Sequence, residues 1–151
     1  APSRINFAAF RLPETMMRSL TFALIAAFLT GVHFAEAAQT DLTGSTWLAE
    51  DIMGAGVVDR VQSTLQPLPD GRVAGSGGCN RFTGTGNVAG GKVDIGLLAA
   101  TRRACPPAVL AQEDKFLKAL SASKRYEISP QGLMRFFDQA GAVTVLFSRM
   151  N

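Results

Sequence analysis

Short runs of β-prone residues alternate with strong turn sequences through most of the chain. Pro69-Asp70-Gly71 and Gly90-Gly91 each stand between two such runs, and both turn sequences are typical of tight β-hairpins. The runs that they join cover residues 61–68, 72–75, 82–88 and 92–95. The pattern predicts two hairpins of antiparallel strands.

The C-terminal part of the chain continues this pattern. The turn sequences Ser129-Pro130-Gln131-Gly132 and Asp138-Gln139-Ala140-Gly141 divide it, and they predict three further strands. These strands cover residues 124–129, 133–137 and 144–148. Another strand is predicted around Trp47, whose side chain we expect in the core. An antiparallel sheet is therefore the main element of the fold.

One segment has helical spacing instead. Pro106-Pro107 begins a run that ends at Ser123, and its apolar residues recur at helical spacing: Val109, Leu110, Phe116, Leu117 and Leu120. Proline is favourable in the first turn of a helix, and Asp114 with Lys118 is an i,i+4 charge pair on the outer face. The apolar face is expected to pack against the sheet, so the fold class is α+β.

The N-terminal region reads as an export signal. Arg18 precedes the apolar residues 20–29, and Ala35-Glu36-Ala37 is a small-x-small cleavage site. A membrane anchor is disfavoured because a spanning helix needs roughly 20 apolar residues and this run is interrupted after residue 29. We interpret residues 16–37 as a signal peptide, residues 1–15 as an over-extended start and residues 38–151 as one domain. The expected location is the periplasm or the exterior of the cell, with no membrane span after cleavage.

Composition removes several classes of function. The domain that follows the cleavage site has 12 basic and 10 acidic residues, a net charge of +2, and its basic residues are scattered, so we expect no nucleic-acid partner. The only histidine is His33, in the signal peptide. Ser-His-Asp and Cys-His catalysis and histidine-based zinc sites are therefore excluded from the domain. Glu50-Asp51 and Glu113-Asp114 are sequence neighbours, which diverge on a strand or a helix, and they predict no acid-base pair.

Glycine-rich segments do not indicate a cofactor. Residues 86–92 fit most of a Walker A loop, but Val93 stands where a hydroxyl should bind Mg²⁺. Residues 84–89 have the spacing of a dinucleotide motif without a following helix. We read both as hairpin glycines and expect no cofactor and no metal.

Cys79 and Cys105 are the only cysteines. In an oxidising compartment a disulfide between them is expected, and closure of a loop of this length stabilises the fold by roughly 3 to 4 kcal/mol in the chain-entropy estimate. The alternative, a reactive thiolate, requires a base or a positive field nearby. We favour the disulfide.

Four segments and the C-terminal end together resemble the META domain family, which includes the heat-shock protein HslJ. They are Leu42 to Leu48, Asp70 to Gly75, Gly78 to Gly84, Thr101 to Cys105, and the Leu-Phe-Ser-Arg sequence that ends at Arg149. The resemblance implies a mainly antiparallel sheet, a small partly open barrel, wrapped around one helix. The resemblance implies an association with envelope stress, antibiotic tolerance and, in secreted relatives, virulence, without a defined reaction. HslJ looks like a lipoprotein, but the first cysteine here is Cys79, so we expect no lipid anchor.

Residue types within these motifs predict structural roles first. The glycines are expected to provide positive φ or close backbone approach; they are Gly75, Gly77, Gly78 and Gly84. Asn80 is expected to bond local backbone and Thr101 turn backbone. Arg81 and Arg102 flank the cysteines, where two guanidinium groups could hold an anion. The simpler reading is internal hydrogen bonding to loop carbonyls, Asp70 or Asp94.

The sequence thus predicts an exported, non-enzymatic binding or interaction module in envelope stress or antibiotic tolerance. Its partner is expected to be an envelope protein or a small apolar ligand held in a cleft. One alternative is a histidine-independent enzyme that uses Asp, Glu or Arg in a sheet cleft. A purely structural domain is the other.

Overall fold

The computed structural model describes residues 42–150. The predicted signal peptide at residues 16–37 and the predicted over-extended segment at residues 1–15 lie outside them. The described chain forms eight strands and one helix, in the order β1 (Trp47–Ile52), β2 (Thr64–Pro67), β3 (Arg72–Ser76), β4 (Arg81–Ala89), β5 (Lys92–Ala100), α1 (Pro107–Ala122), β6 (Arg125–Ile128), β7 (Met134–Phe137) and β8 (Val143–Arg149). The antiparallel sheet and the single predicted helix are confirmed. Among the described residues, no helix combines the length and the apolar character that a membrane span requires.

The strands pair in chain order and close into an eight-stranded barrel. The expectation of a partly open barrel is wrong, because β8 returns to β1 and pairs with it from Trp47↔Arg149 to Ile52↔Val145. This pairing covers the outer edges of the first and last strands, which would otherwise expose unpaired N–H and C=O groups.

The barrel has a short junction between β5 and β6. β5 and β6 share one residue pair, Lys92↔Arg125, supported by bonds from Val93 N to Lys124 O and from Tyr126 N to Gly91 O, both 2.9 Å. β5 then continues to Ala100, five residues beyond the strand end that the sequence predicts. In this stretch β5 pairs with β4 alone, and α1 lies along its other side.

The core lies between α1 and the inner face of the barrel. Phe116, Ala119 and Leu120 of α1 are fully buried. The Phe116 ring packs edge-on against Phe82 and Phe147, with centroids 6.1 Å apart in each case. Trp47 is buried as expected.

The first half of α1 departs from the predicted apolar face. Phe116 and Leu120 are buried, but Leu110 is exposed, and the buried positions of this half are Gln112 and Glu113. The reason is that this half packs over polar loop backbone rather than over the apolar barrel interior. Its buried side chains are therefore hydrogen-bonding groups.

Candidate functional site

Two of the motif segments, Gly78 to Gly84 and Thr101 to Cys105, meet beside the first half of α1. The Cα atoms of Cys79 and Cys105 are 6.2 Å apart and their sulfur atoms form a disulfide. Beside this bond lie Asn80, Thr101 and the carboxylate of Glu113. These five residues are called the disulfide corner below.

Glu113 is the centre of the disulfide corner. Glu113 is buried, with an exposed fraction of only 7 %. One carboxylate oxygen accepts hydrogen bonds from Asn80 N at 2.6 Å and Cys79 N at 3.3 Å. The other accepts one from Asn80 Nδ2 at 2.8 Å. No described basic side chain forms an ion pair with it, so N–H donors alone compensate for the burial of this carboxylate.

Asn80 connects this carboxylate to the segment before α1. Its Oδ1 atom accepts hydrogen bonds from Arg103 N at 2.7 Å and from the Thr101 hydroxyl at 2.9 Å. The Thr101 hydroxyl also accepts one from Arg81 N at 3.3 Å. Asn80 thus bonds a distant strand end rather than the adjacent backbone that the sequence suggested, and it ties the two cysteine segments together independently of the disulfide.

The four motif glycines lie where chain segments approach closely. A Cβ atom at Gly77 would come 2.4 Å from Glu113 Cγ, and one at Gly84 would come 2.2 Å from Leu97 O. Gly75 faces the Thr64 carbonyl and the Phe82 ring, while Gly78 has φ +121°. Gly77 therefore leaves room for the Glu113 side chain, and Gly84 leaves room for the backbone of β5.

The two motif arginines do not form the predicted internal bonds. Arg81 and Arg102 are exposed, and their guanidinium groups make no hydrogen bond or ion pair within the described chain. Asp70 instead pairs with Arg72 at 2.6 Å. Residues 42–150 also contain no group of three or more Cys, His, Asp or Glu side chains that could hold a metal ion.

A second site lies on another face of α1, along β5. Here Gly96, Leu97 and Leu98 of β5 face a stripe of α1 across a cleft of about 450 Å³; the stripe consists of Asp114, Leu117, Lys118 and Ser121. These seven residues are called the β5 cleft below. Leu97 is 93 % exposed, and the predicted Asp114–Lys118 ion pair does not form among the described residues. The cleft offers apolar surface and two charges without ion-pair partners.

A β-bulge creates the exposure of Leu97. Gly84 pairs with Leu98 and Gly86 with Ile95, so the two residues Gly96 and Leu97 oppose one residue of β4. A bulge leaves its extra residue out of the regular alternation, and both Gly96 and Leu97 consequently face solvent.

A smaller slot flanks the other side of α1. It has a volume of about 190 Å³, between residues 55–58 and the helix, and Lys115 lies at its rim. Gln112 fixes one wall, since its Oε1 accepts a hydrogen bond from Val58 N and its Nε2 donates to Ser63 Oγ at 3.1 Å. These two hydrogen bonds fix the position of Gln112 at the slot.

Sequence reasoning missed the residues at the centre of both sites, Glu113 and Leu97. A signal for Glu113 was present: Val109, Glu113, Phe116 and Leu120 follow the i, i+4, i+7, i+11 spacing of one helix face. An acid on that face is expected to be buried with donors. Leu97 had no comparable signal, because a bulge depends on the pairing of two strands.

A family model described as META domain matches residues 40–151. Among solved structures, the chain is similar to an NMR structure of a protein from Burkholderia xenovorans, with 20 % identity and a TM-score of 0.61 over 100 % of this chain and 99 % of that chain. It is also similar to a crystal structure of a DUF4847 family protein from Bacteroides vulgatus ATCC 8482, with 15 % identity and a TM-score of 0.52 over 72 % of this chain and 94 % of that chain. These likenesses show the fold alone. No curated protein matches the chain.

Proposed function

The chain belongs to the META domain family, and on this premise we propose that the mature protein is an exported, non-enzymatic binding module that acts in envelope stress. The observation that carries the proposal is the contrast between the two sites on α1. The polar groups of the disulfide corner bond one another, whereas the β5 cleft presents Leu97 at 93 % exposure. Together with Leu98 and Leu117, Leu97 gives this cleft an apolar lining, and apolar clefts are the usual form of ligand-binding sites.

The state of the buried carboxylate supports binding over catalysis. A histidine-independent enzyme needs an acid within reach of substrate. Both oxygens of Glu113 instead accept hydrogen bonds from Cys79 and Asn80, and the described clefts are not lined by Glu113. Glu113 is therefore a structural hydrogen-bond acceptor, which agrees with a module that binds its partner through surface residues.

Export is tested by intact mass of the protein recovered from its host, before and after reduction and thiol alkylation. We expect a mass that begins at Ala38 and two alkylated cysteines only after reduction. A retained N-terminus, or thiols that react without reduction, would contradict export into an oxidising compartment.

The role in envelope stress is tested in a deletion strain exposed to an antibiotic that acts on the cell envelope. We expect the wild-type gene to restore tolerance and Leu97→Asp to fail at an equal level of protein. Val143→Asp, which changes an aliphatic residue that is 43 % exposed on β8, is the matched control and should restore tolerance. Equal rescue by both variants would exclude the β5 cleft from the function.

A further inference from the structure

The outer edge of β5 is unpaired over most of its length. β5 pairs with β4 from Lys92 to Ala100 but with β6 only at Lys92. From Asp94 onward, no strand among residues 42–150 bonds to this edge. Folded proteins usually cover or block such edges because their free N–H and C=O groups recruit other strands. Here the edge opens onto the β5 cleft.

We propose that the β5 cleft binds an extended polypeptide segment, which adds to β5 as a further strand. The proposal rests on the proposed function as a binding module and specifies its partner. In strand addition, main-chain hydrogen bonds provide affinity and alternate side chains provide specificity. The edge supplies the main-chain groups, and Leu97, Leu98 and Leu117 supply apolar contacts. The volume of about 450 Å³ lies within the range of about 300 to 1,000 Å³ usual for ligand pockets.

The walls of the cleft favour a lone segment over a second copy of this chain. The edge of β5 forms one wall and α1 forms the other. A strand from a second folded barrel would bring its own neighbouring strand into the space that α1 occupies. The bulge at Gly96 and Leu97 also interrupts the regular edge that two β5 strands would need for symmetrical pairing. An unfolded segment brings no neighbouring strand, and its backbone can adjust to the bulge because it is not held in a sheet of its own.

The charges on α1 indicate which segment fits. Asp114 and Lys118 lie one helical turn apart, with Cβ atoms about 5 to 6 Å from each other. Alternate side chains on a strand are about 6.6 Å apart, so a basic and an acidic residue two positions apart can meet both charges. The partner is therefore an extended segment with this charge pair and apolar residues around it.

The probe is a fluorescein-labelled hexapeptide, Thr-Lys-Val-Glu-Val-Thr, titrated with the oxidised mature protein and followed by fluorescence anisotropy. Two further versions carry backbone N-methyl groups, one on residues 2 and 4 and the other on residues 3 and 5. Only alternate N–H groups of an added strand point at its neighbour. We therefore expect one methylated version to lose about tenfold or more in affinity and the other to stay within about twofold.

The variants Leu97→Asp and Val143→Asp complete the experiment. We expect Leu97→Asp to weaken binding about tenfold, because it removes the exposed apolar contact, and Val143→Asp to bind like the wild type. Binding of both methylated peptides with equal affinity would overturn strand addition, since contact would then be through side chains, as with a small apolar ligand. A dimer in sedimentation velocity that Leu97→Asp dissociates would assign the cleft to a second copy.

Failure of this proposal is distinguishable from failure of the proposed function. If the unmodified peptide does not bind while Leu97→Asp still abolishes rescue of the deletion strain, the strand partner is wrong and the binding module stands. If the peptide binds as expected while Leu97→Asp rescues fully, strand addition stands and the role of the cleft in envelope stress is wrong.

Discussion

Two adjacent acidic residues on α1 differ in burial. One belongs to the disulfide corner, which has a structural role, and the other to the β5 cleft, which is available for binding. Glu113 is buried in the disulfide corner, where its oxygens accept three hydrogen bonds. Asp114 is exposed and lines the β5 cleft without an ion-pair partner in the described chain. The side chains of consecutive helical residues point about 100° apart, so one turn of α1 places a side chain in the disulfide corner and another in the β5 cleft.

The disulfide corner gains stability by satisfying its polar groups, whereas the β5 cleft leaves polar and apolar groups exposed. Buried donors and acceptors are costly when unpaired, and the corner pairs the carboxylate of Glu113, both polar atoms of the Asn80 side chain and the hydroxyl of Thr101. The backbone N–H and C=O groups along the edge of β5 remain hydrated, so the absence of a partner strand costs little free energy. Mutations in the corner should therefore change stability, and mutations in the cleft should change binding.

The largest effect expected from the disulfide corner is loss of the disulfide. Reduction, or the double variant Cys79→Ala with Cys105→Ala, should lower the free energy of unfolding by about 3 to 4 kcal/mol, because the unfolded chain is no longer constrained. Urea denaturation of the oxidised and reduced protein measures the difference. A loss below about 1 kcal/mol would show that the disulfide restricts the unfolded chain far less than the chain-entropy estimate requires, as when the reduced unfolded chain keeps residual structure.

Glu113→Ala should lower the free energy of unfolding by about 2 to 3 kcal/mol, since it leaves the N–H donors of Cys79 and Asn80 buried without an acceptor. Asp114→Ala is the matched control and should stay within about 0.5 kcal/mol of the wild type. Because the disulfide and Glu113 hold the same segment, their effects should not add in a double-mutant cycle. Equal effects of the two substitutions would remove the distinction between the two faces of α1.

Gly84→Ala should have a smaller effect on stability and should also weaken binding. Its Cβ atom would come 2.2 Å from Leu97 O, and the β5 bulge must then shift at a cost of about 1 to 2 kcal/mol. We expect weaker binding of the strand peptide together with this loss of stability. Asn87→Ala, at an exposed position of the same strand, should change neither quantity. Normal peptide binding by Gly84→Ala would show that the position of the bulge is irrelevant to the cleft.

The hairpins and the helix could be predicted because each is specified by residues that are close together in the sequence. Gly90 and Gly91 both adopt positive φ at the β4–β5 turn, as a two-residue hairpin requires, and the helix begins at Pro107, within the predicted Pro106-Pro107 start. The closure of the barrel could not be predicted this way. It depends on the pairing of β1 with β8, about 100 residues apart in the chain, and pairing at that distance leaves no local signature.

The candidate sites were predictable only in part. The motif around Cys79 and Asn80 was recognised from the sequence, but its acceptor, Glu113, comes from a helix 33 residues further along. The β5 cleft was missed because the predicted strand ended at residue 95, whereas β5 continues to Ala100, and because an apolar residue at position 97 of a regular strand would share the inward face with Ile95. Only the extra residue of the bulge turns it to solvent.

The smallest expected effect is the stability change of Leu97→Asp. The side chain is 93 % exposed, so its replacement removes almost no buried area, and the free energy of unfolding should stay within about 0.5 kcal/mol of the wild type. Leu120→Ala, at a fully buried position of α1, should cost about 2 to 5 kcal/mol. A stable Leu97→Asp protein that no longer binds the strand peptide would show that the fold does not require this leucine. A destabilisation above about 1.5 kcal/mol would instead mean that Leu97 packs against the domain and that the cleft is part of its core.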